Sequence, residues 1–86
     1  QRPAPRLGWM IQLGAMPEEA KATELIERAK TSGVQMLSNA ESFTQKVTKD
    51  GTTLFRARFA GFDEDAAQTA CRLLKRNGFA CFATRG

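Results

Sequence analysis

A strand-then-helix pattern occurs twice in this chain, and no other feature limits its possible folds so strongly. Trp9-Met-Ile-Gln-Leu-Gly-Ala-Met16 opens a unit that closes at Gly33-Val34, and Phe55-Arg-Ala-Arg-Phe-Ala-Gly-Phe62 opens a second that closes at Gly78-Phe79. Trp9, Ile11 and Leu13 in the first strand correspond to Phe55, Ala57 and Phe59 in the second. In the helices, Ala22, Leu25, Ile26 and Ala29 correspond to Ala67, Ala70, Cys71 and Leu74. A repeated unit cannot bury its apolar face alone, so two copies within 86 residues imply one small domain with a shared core.

The first strand alternates over residues 9–13, with Trp9, Ile11 and Leu13 on one side and Met10 and Gln12 on the other. Gly14-Ala-Met-Pro17 is expected to break it, with proline in the first turn of the helix that follows. That helix has an apolar stripe at Ala22, Leu25, Ile26 and Ala29, and an i,i+4 pair, Glu24 with Arg28, on its other side. Val34 to Leu37 reads as the start of another strand and Phe43 to Thr48 as its continuation, with an irregular break at Ser38–Glu41. Lys49-Asp50-Gly51-Thr52 is a hairpin turn. A third strand, 53–60, turns Phe55, Ala57 and Phe59 inward and Leu54, Arg56 and Arg58 outward. Asp63 caps a second helix that ends at Gly78, and a last strand covers 79–84. The order β-α-β-β-α-β predicts an α+β, ferredoxin/RNP-like fold: a four-stranded antiparallel sheet with two helices on one face. Residues 1–8, opening Gln-Arg-Pro-Ala-Pro, read as a linker stub, and 9–86 as the domain.

Charge and composition narrow the chemistry. The net charge of +4 falls entirely in residues 44–86, where eight basic side chains face four acidic ones; residues 1–43 hold five of each. Such an excess suits anionic partners. The chain has no histidine and two cysteines, which rules out the usual zinc sites and the histidine-based nucleophile systems within these residues. No cofactor or metal is expected, no enzyme activity, and no membrane insertion, since no apolar run approaches a membrane span.

A function would therefore sit on the sheet face left open by the helices. Met10 and Gln12 of the first strand, Leu54, Arg56 and Arg58 of the third, and Phe82 with Thr84 of the last are placed there. A carboxamide, two guanidinium forks and exposed apolar side chains suit a polymer held by hydrogen bonds and flat stacking. Single-stranded RNA readers share this layout, but they need stacking aromatics outward, whereas Phe55 and Phe59 share the core side with Ala57. Nucleic acid is thus disfavoured as a partner, although an RRM-like binder or a protein-interaction module stays open as an alternative. Cys71 and Cys81 both fall on inward positions, one on the second helix and one on the last strand, within bridging reach. In an oxidising compartment they form a disulfide; otherwise they are two buried thiols.

The two half-motifs resemble the SPOR (sporulation-related repeat) domain from Trp9 to about Thr84. That family opens aromatic-x-Val-Gln-x-Gly-Ser-Phe, matched by Trp9-Met-Ile-Gln12-Leu-Gly14-Ala15-Met16, and its second half reads Tyr-Arg-Val-x-Val-Gly-Pro-Phe, matched by Phe55-Arg56-Ala-Arg-Phe-Ala60-Gly61-Phe62. The resemblance implies a monomeric module of a larger periplasmic protein. It would bind peptidoglycan glycan strands lacking stem peptides, which are enriched at the division septum. Gln12 and Arg56 carry over from the family motif; Arg58, Phe82, Met10 and Leu54 are added from their face and position. Ala15 replaces the family's hydroxyl residue, and Ala60-Gly61 its Gly-Pro. Arg-Ala-Arg-Phe-Ala-Gly-Phe and Ala-Cys-Arg-Leu-Leu-Lys-Arg also resemble the C-terminal module of alphaproteobacterial D-alanyl-D-alanine carboxypeptidases, without the Ser-x-x-Lys of their catalytic part.

Overall fold

The structure is a computed structural model, and it describes residues 8–85. Its elements are β1 (Trp9–Met16), α1 (Glu19–Lys30), a 3-10 helix (Gln35–Asn39), β2 (Glu41–Lys49), β3 (Thr52–Phe62), α2 (Glu64–Arg76) and β4 (Phe82–Arg85). The strands form one sheet in the order β2-β3-β1-β4, antiparallel at every pairing. The strand that opens each strand-helix unit is thus central, and β2 and β4 are the edges. This is the α+β architecture expected from the chain. Apart from Gly8, the expected linker stub 1–8 lies outside the described residues.

Both helices lie on one face because both have a stripe of small and apolar side chains. Ala22, Ile26 and Ala29 of α1 and Ala67, Ala70, Cys71 and Leu74 of α2 pack with Ile11, Leu13, Ala57, Phe59 and Phe62 of the sheet. Alanines along both stripes let the helix axes approach the sheet closely, and Phe59, Ile11, Leu37 and Leu74 fill the space between. Asp63 caps α2 as expected, its Oδ1 accepting from the Ala66 N–H at 2.7 Å. At the far end the N–H of Gly78 (φ 89°) donates to the Lys75 carbonyl and that of Phe79 to the Leu74 carbonyl, a Schellman closure. The β2–β3 turn has Asp50 at φ 53° and Gly51 at φ 77°, the two left-handed residues of a type I′ hairpin.

Several boundaries differ from expectation. Val34 to Leu37 is not strand: the 3-10 helix starts at Gln35, Val34 and Leu37 are both buried three residues apart, and the Ser38 hydroxyl donates to the Gln35 carbonyl. β1 continues past Gly14 to Met16, and α1 begins at Glu19, two residues after Pro17. β4 starts at Phe82, because residues 79–81 complete the helix closure and the disulfide first. Arg28 does not pair with Glu24; its guanidinium lies 5.8 Å from the centre of the Phe79 ring. Cys71 and Cys81 are joined by a disulfide with their Cα atoms 5.2 Å apart, tying the middle of α2 to the residue before β4.

Candidate functional site

The pairing register determines what the open face presents. In β3, Leu54, Arg56, Arg58 and Ala60 point away from the helices, because Phe55, Ala57 and Phe59 between them point into the core. β1 matches this with Met10 opposite Ala60 and Gln12 opposite Arg58. At Leu13 the register slips, so that Gly14 next pairs with Ala57. Leu13 is accommodated in the core, Gly14 turns toward Leu25 of α1, and Ala15 comes to the open face beside Arg56. The bulge therefore explains how one strand keeps three core-facing residues early on and still delivers Ala15 to the opposite side.

Continuing each pairing to the edges gives rows that cross the sheet. Phe43, Arg58, Gln12 and Phe82 form one row through all four strands. Glu41, Ala60, Met10 and Thr84 form the row on one side of it; Gln45, Arg56 and Ala15 form the row on the other, followed by Val47 with Leu54. With strands about 4.8 Å apart, the aromatic rings' attachment points at Phe43 and Phe82 are separated by roughly 14 Å. Phe82 is 52% exposed, the exposed large hydrophobic among the described residues.

All seven residues expected on this face stand on it, but two of them are buried. Met10 is 8% and Gln12 9% accessible, and neither belongs to the core under the helices. Arg58 covers them. Its Nε donates to Gln12 Oε1 at 2.8 Å and its Nη1 to Met10 Sδ at 3.3 Å, so the guanidinium lies flat across β1. Gln12 is thus a satisfied polar group under a cation rather than a free contact. No buried side-chain nitrogen or oxygen lacks a partner among the described residues, and the Gln12 amide nitrogen and Arg58 Nη2 bond to none of these residues. Neither donor is therefore completely shut off from solvent. Burial first, and the neighbouring Arg56 charge second, lower the Arg58 pKa from its ordinary value.

β2 puts residues on this face that the sequence reading did not assign to it. Phe43, Gln45 and Val47 lie on the open face and none is part of the core. The signal was available: a two-residue turn at Asp50-Gly51 sets Val47 opposite Leu54, and counting back by twos reaches Phe43 opposite Arg58. The Phe55 to Phe62 stretch, by contrast, has its aromatics Phe55, Phe59 and Phe62 on the helix side, where they cannot stack on a ligand. A cavity of 840 Å³ bounded by Lys30 and residues 33–40 lies by the 3-10 helix, apart from this face. Among the described residues no group of three or more acidic, cysteine or histidine side chains is placed to hold a metal.

No curated protein matches the chain. Among solved structures it is similar to the SPOR domain of RlpA from Pseudomonas aeruginosa, with a TM-score of 0.71 and 18% identity over 92% of this chain and 100% of that one. It is also similar to the peptidoglycan-binding domain of the B. subtilis cell wall lytic enzyme CwlC, with a TM-score of 0.65 and 23% identity over 100% of this chain and 99% of that one. The sequence model of the SPOR domain matches residues 6–85. The chain therefore belongs to the SPOR domain family.

Proposed function

We propose that this domain binds peptidoglycan glycan strands on the open face of its sheet, without catalysing a reaction on them. The row Phe43–Arg58–Gln12–Phe82 carries the reading. Sugar rings have apolar C–H faces that pack on aromatic rings, and equatorial hydroxyl and acetamido groups that accept from amides and guanidinium groups. The row offers the exposed Phe82 ring at one end and the remaining N–H groups of Arg58 beside it, with Leu54 and Val47 as flanking apolar contacts. The strands it binds are those stripped of stem peptides, as the resemblance to the SPOR family implies. As part of a larger periplasmic protein, the module would hold that protein at the septal wall, where stripped strands accumulate. The peptidoglycan-binding CwlC domain, similar in fold, is in keeping with this reading.

The test is retention of the purified domain on sacculi, intact and amidase-treated. Greater retention on treated sacculi, lost in the Phe82→Ala variant with its fold intact, is the expected result. Equal retention on both preparations, or none on either, overturns it.

A further inference from the structure

Two arginines stand on the open face, and no ion pair between described residues includes either of them. Arg56 and Arg58 are two residues apart on β3, on the same side of the sheet. Lys30 pairs with Glu27 at 3.8 Å, on α1 and far from this face. By register, Glu41 is the acid among the face's described residues. It sits in the row of Ala60 and Met10, one row from Arg58 and two from Arg56, and Lys49 lies at the opposite end. Arg56 makes no hydrogen bond to a described residue, leaving all five of its N–H donors uncommitted, and Arg58 keeps Nη2. Like charges two residues apart are unfavourable in the empty protein, and an anion held by the open Arg56 fork and the remaining Arg58 N–H groups relieves that repulsion. The small Ala15 opposite Arg56 leaves room above that end of the pair.

We infer that Arg56 and Arg58 together bind the free lactyl carboxylate of a muramic acid residue, resting on the glycan-binding reading above. An intact strand has that carboxyl tied up as an amide to the stem peptide. Amidase hydrolysis releases the peptide and leaves one carboxylate per muramic residue. The arginine pair thus reads the chemical consequence of stripping, in addition to the space the peptide vacates. A planar carboxylate accepts in parallel from a guanidinium fork, and a neutral amide does not offer the same two anionic oxygens.

The experiment measures binding by calorimetry to glycan strands released by amidase, either with free carboxylates or with the carboxyls coupled to methylamine. The wild-type domain should bind the neutralised strands about tenfold more weakly or worse, the size expected for losing a charge-assisted contact. Arg56→Gln, which leaves the Arg58 contacts to Gln12 and Met10 in place, should bind both strands alike, and Arg58→Lys should recover only part of the discrimination. Equal wild-type affinity for the two strands overturns carboxylate recognition while leaving glycan binding intact. Absence of binding to either strand overturns the glycan reading itself.

Discussion

Reducing the Cys71–Cys81 bridge tests the energetics of the whole domain. The bridge closes a loop with a sequence separation of 10 residues, running from the middle of α2 through its Schellman end to the residue before β4. Loop closure in the unfolded chain scales as a constant plus the logarithm of loop length, which for a loop this short gives about 2.7 kcal/mol at 25 °C. In a domain of this size each kcal/mol moves the midpoint by several degrees, so reduction should lower Tm by about 10–20 °C. The perturbation is full reduction with a phosphine, followed by calorimetry of the reduced and oxidised wild-type protein at the same pH. No side chain is truncated, so no cavity term enters. Because the effect acts on the unfolded state, β4 should stay paired with β1 in the reduced protein well below its midpoint. A midpoint shift below about 4 °C would refute this reasoning. So would selective loss of amide protection in β4 while β1 and β3 keep theirs, since the bridge would then be holding the edge strand directly.

Two further outcomes follow from the distinction between core and open face. Phe59→Ala, at a fully buried ring, should cost about 3–5 kcal/mol, whereas Phe82→Ala should stay within about 0.5 kcal/mol by chemical denaturation. Comparable losses at both sites would mean that the faces are misassigned. For the Arg58–Gln12 hydrogen bond, a double-mutant cycle with Arg58→Ala and Gln12→Ala should return a coupling of about 1–2 kcal/mol in stability, and additivity of the two changes would contradict the 2.8 Å contact.

The readable parts of this chain were those governed by strict periodicity or by one local signal. β3 alternates without interruption from Leu54 to Phe59, so its two faces could be assigned residue by residue. Asp63 and Asp50-Gly51 act within three or four residues, and both act as their types predict. Val34 and Leu37 misled because β-favouring side chains there are buried at an i,i+3 spacing, in a turn whose hydrogen bonds come from its own backbone and Ser38. The shielding of Met10 and Gln12 could not be read, since it depends on Arg58 reaching across from another strand 46 residues away from Gln12. The bulge at Leu13 was hidden for a similar reason: a leucine satisfies the core from an extra position as well as from a regular one.

β2 is joined to β3 along its whole length, yet it contributes no side chain to the core. Its helix-side residues are Ser42, Thr44, Lys46 and Thr48, with Thr44 donating to Glu19 of α1, and its apolar residues Phe43 and Val47 face the other way. The strand is therefore held by its backbone ladder and the Thr44 contact rather than by core packing. Any ligand that binds across β2 and β3 together therefore also raises the free energy needed to peel this edge away. Along this border of the molecule, the stability of the strand and the occupancy of its open face are one coupled quantity.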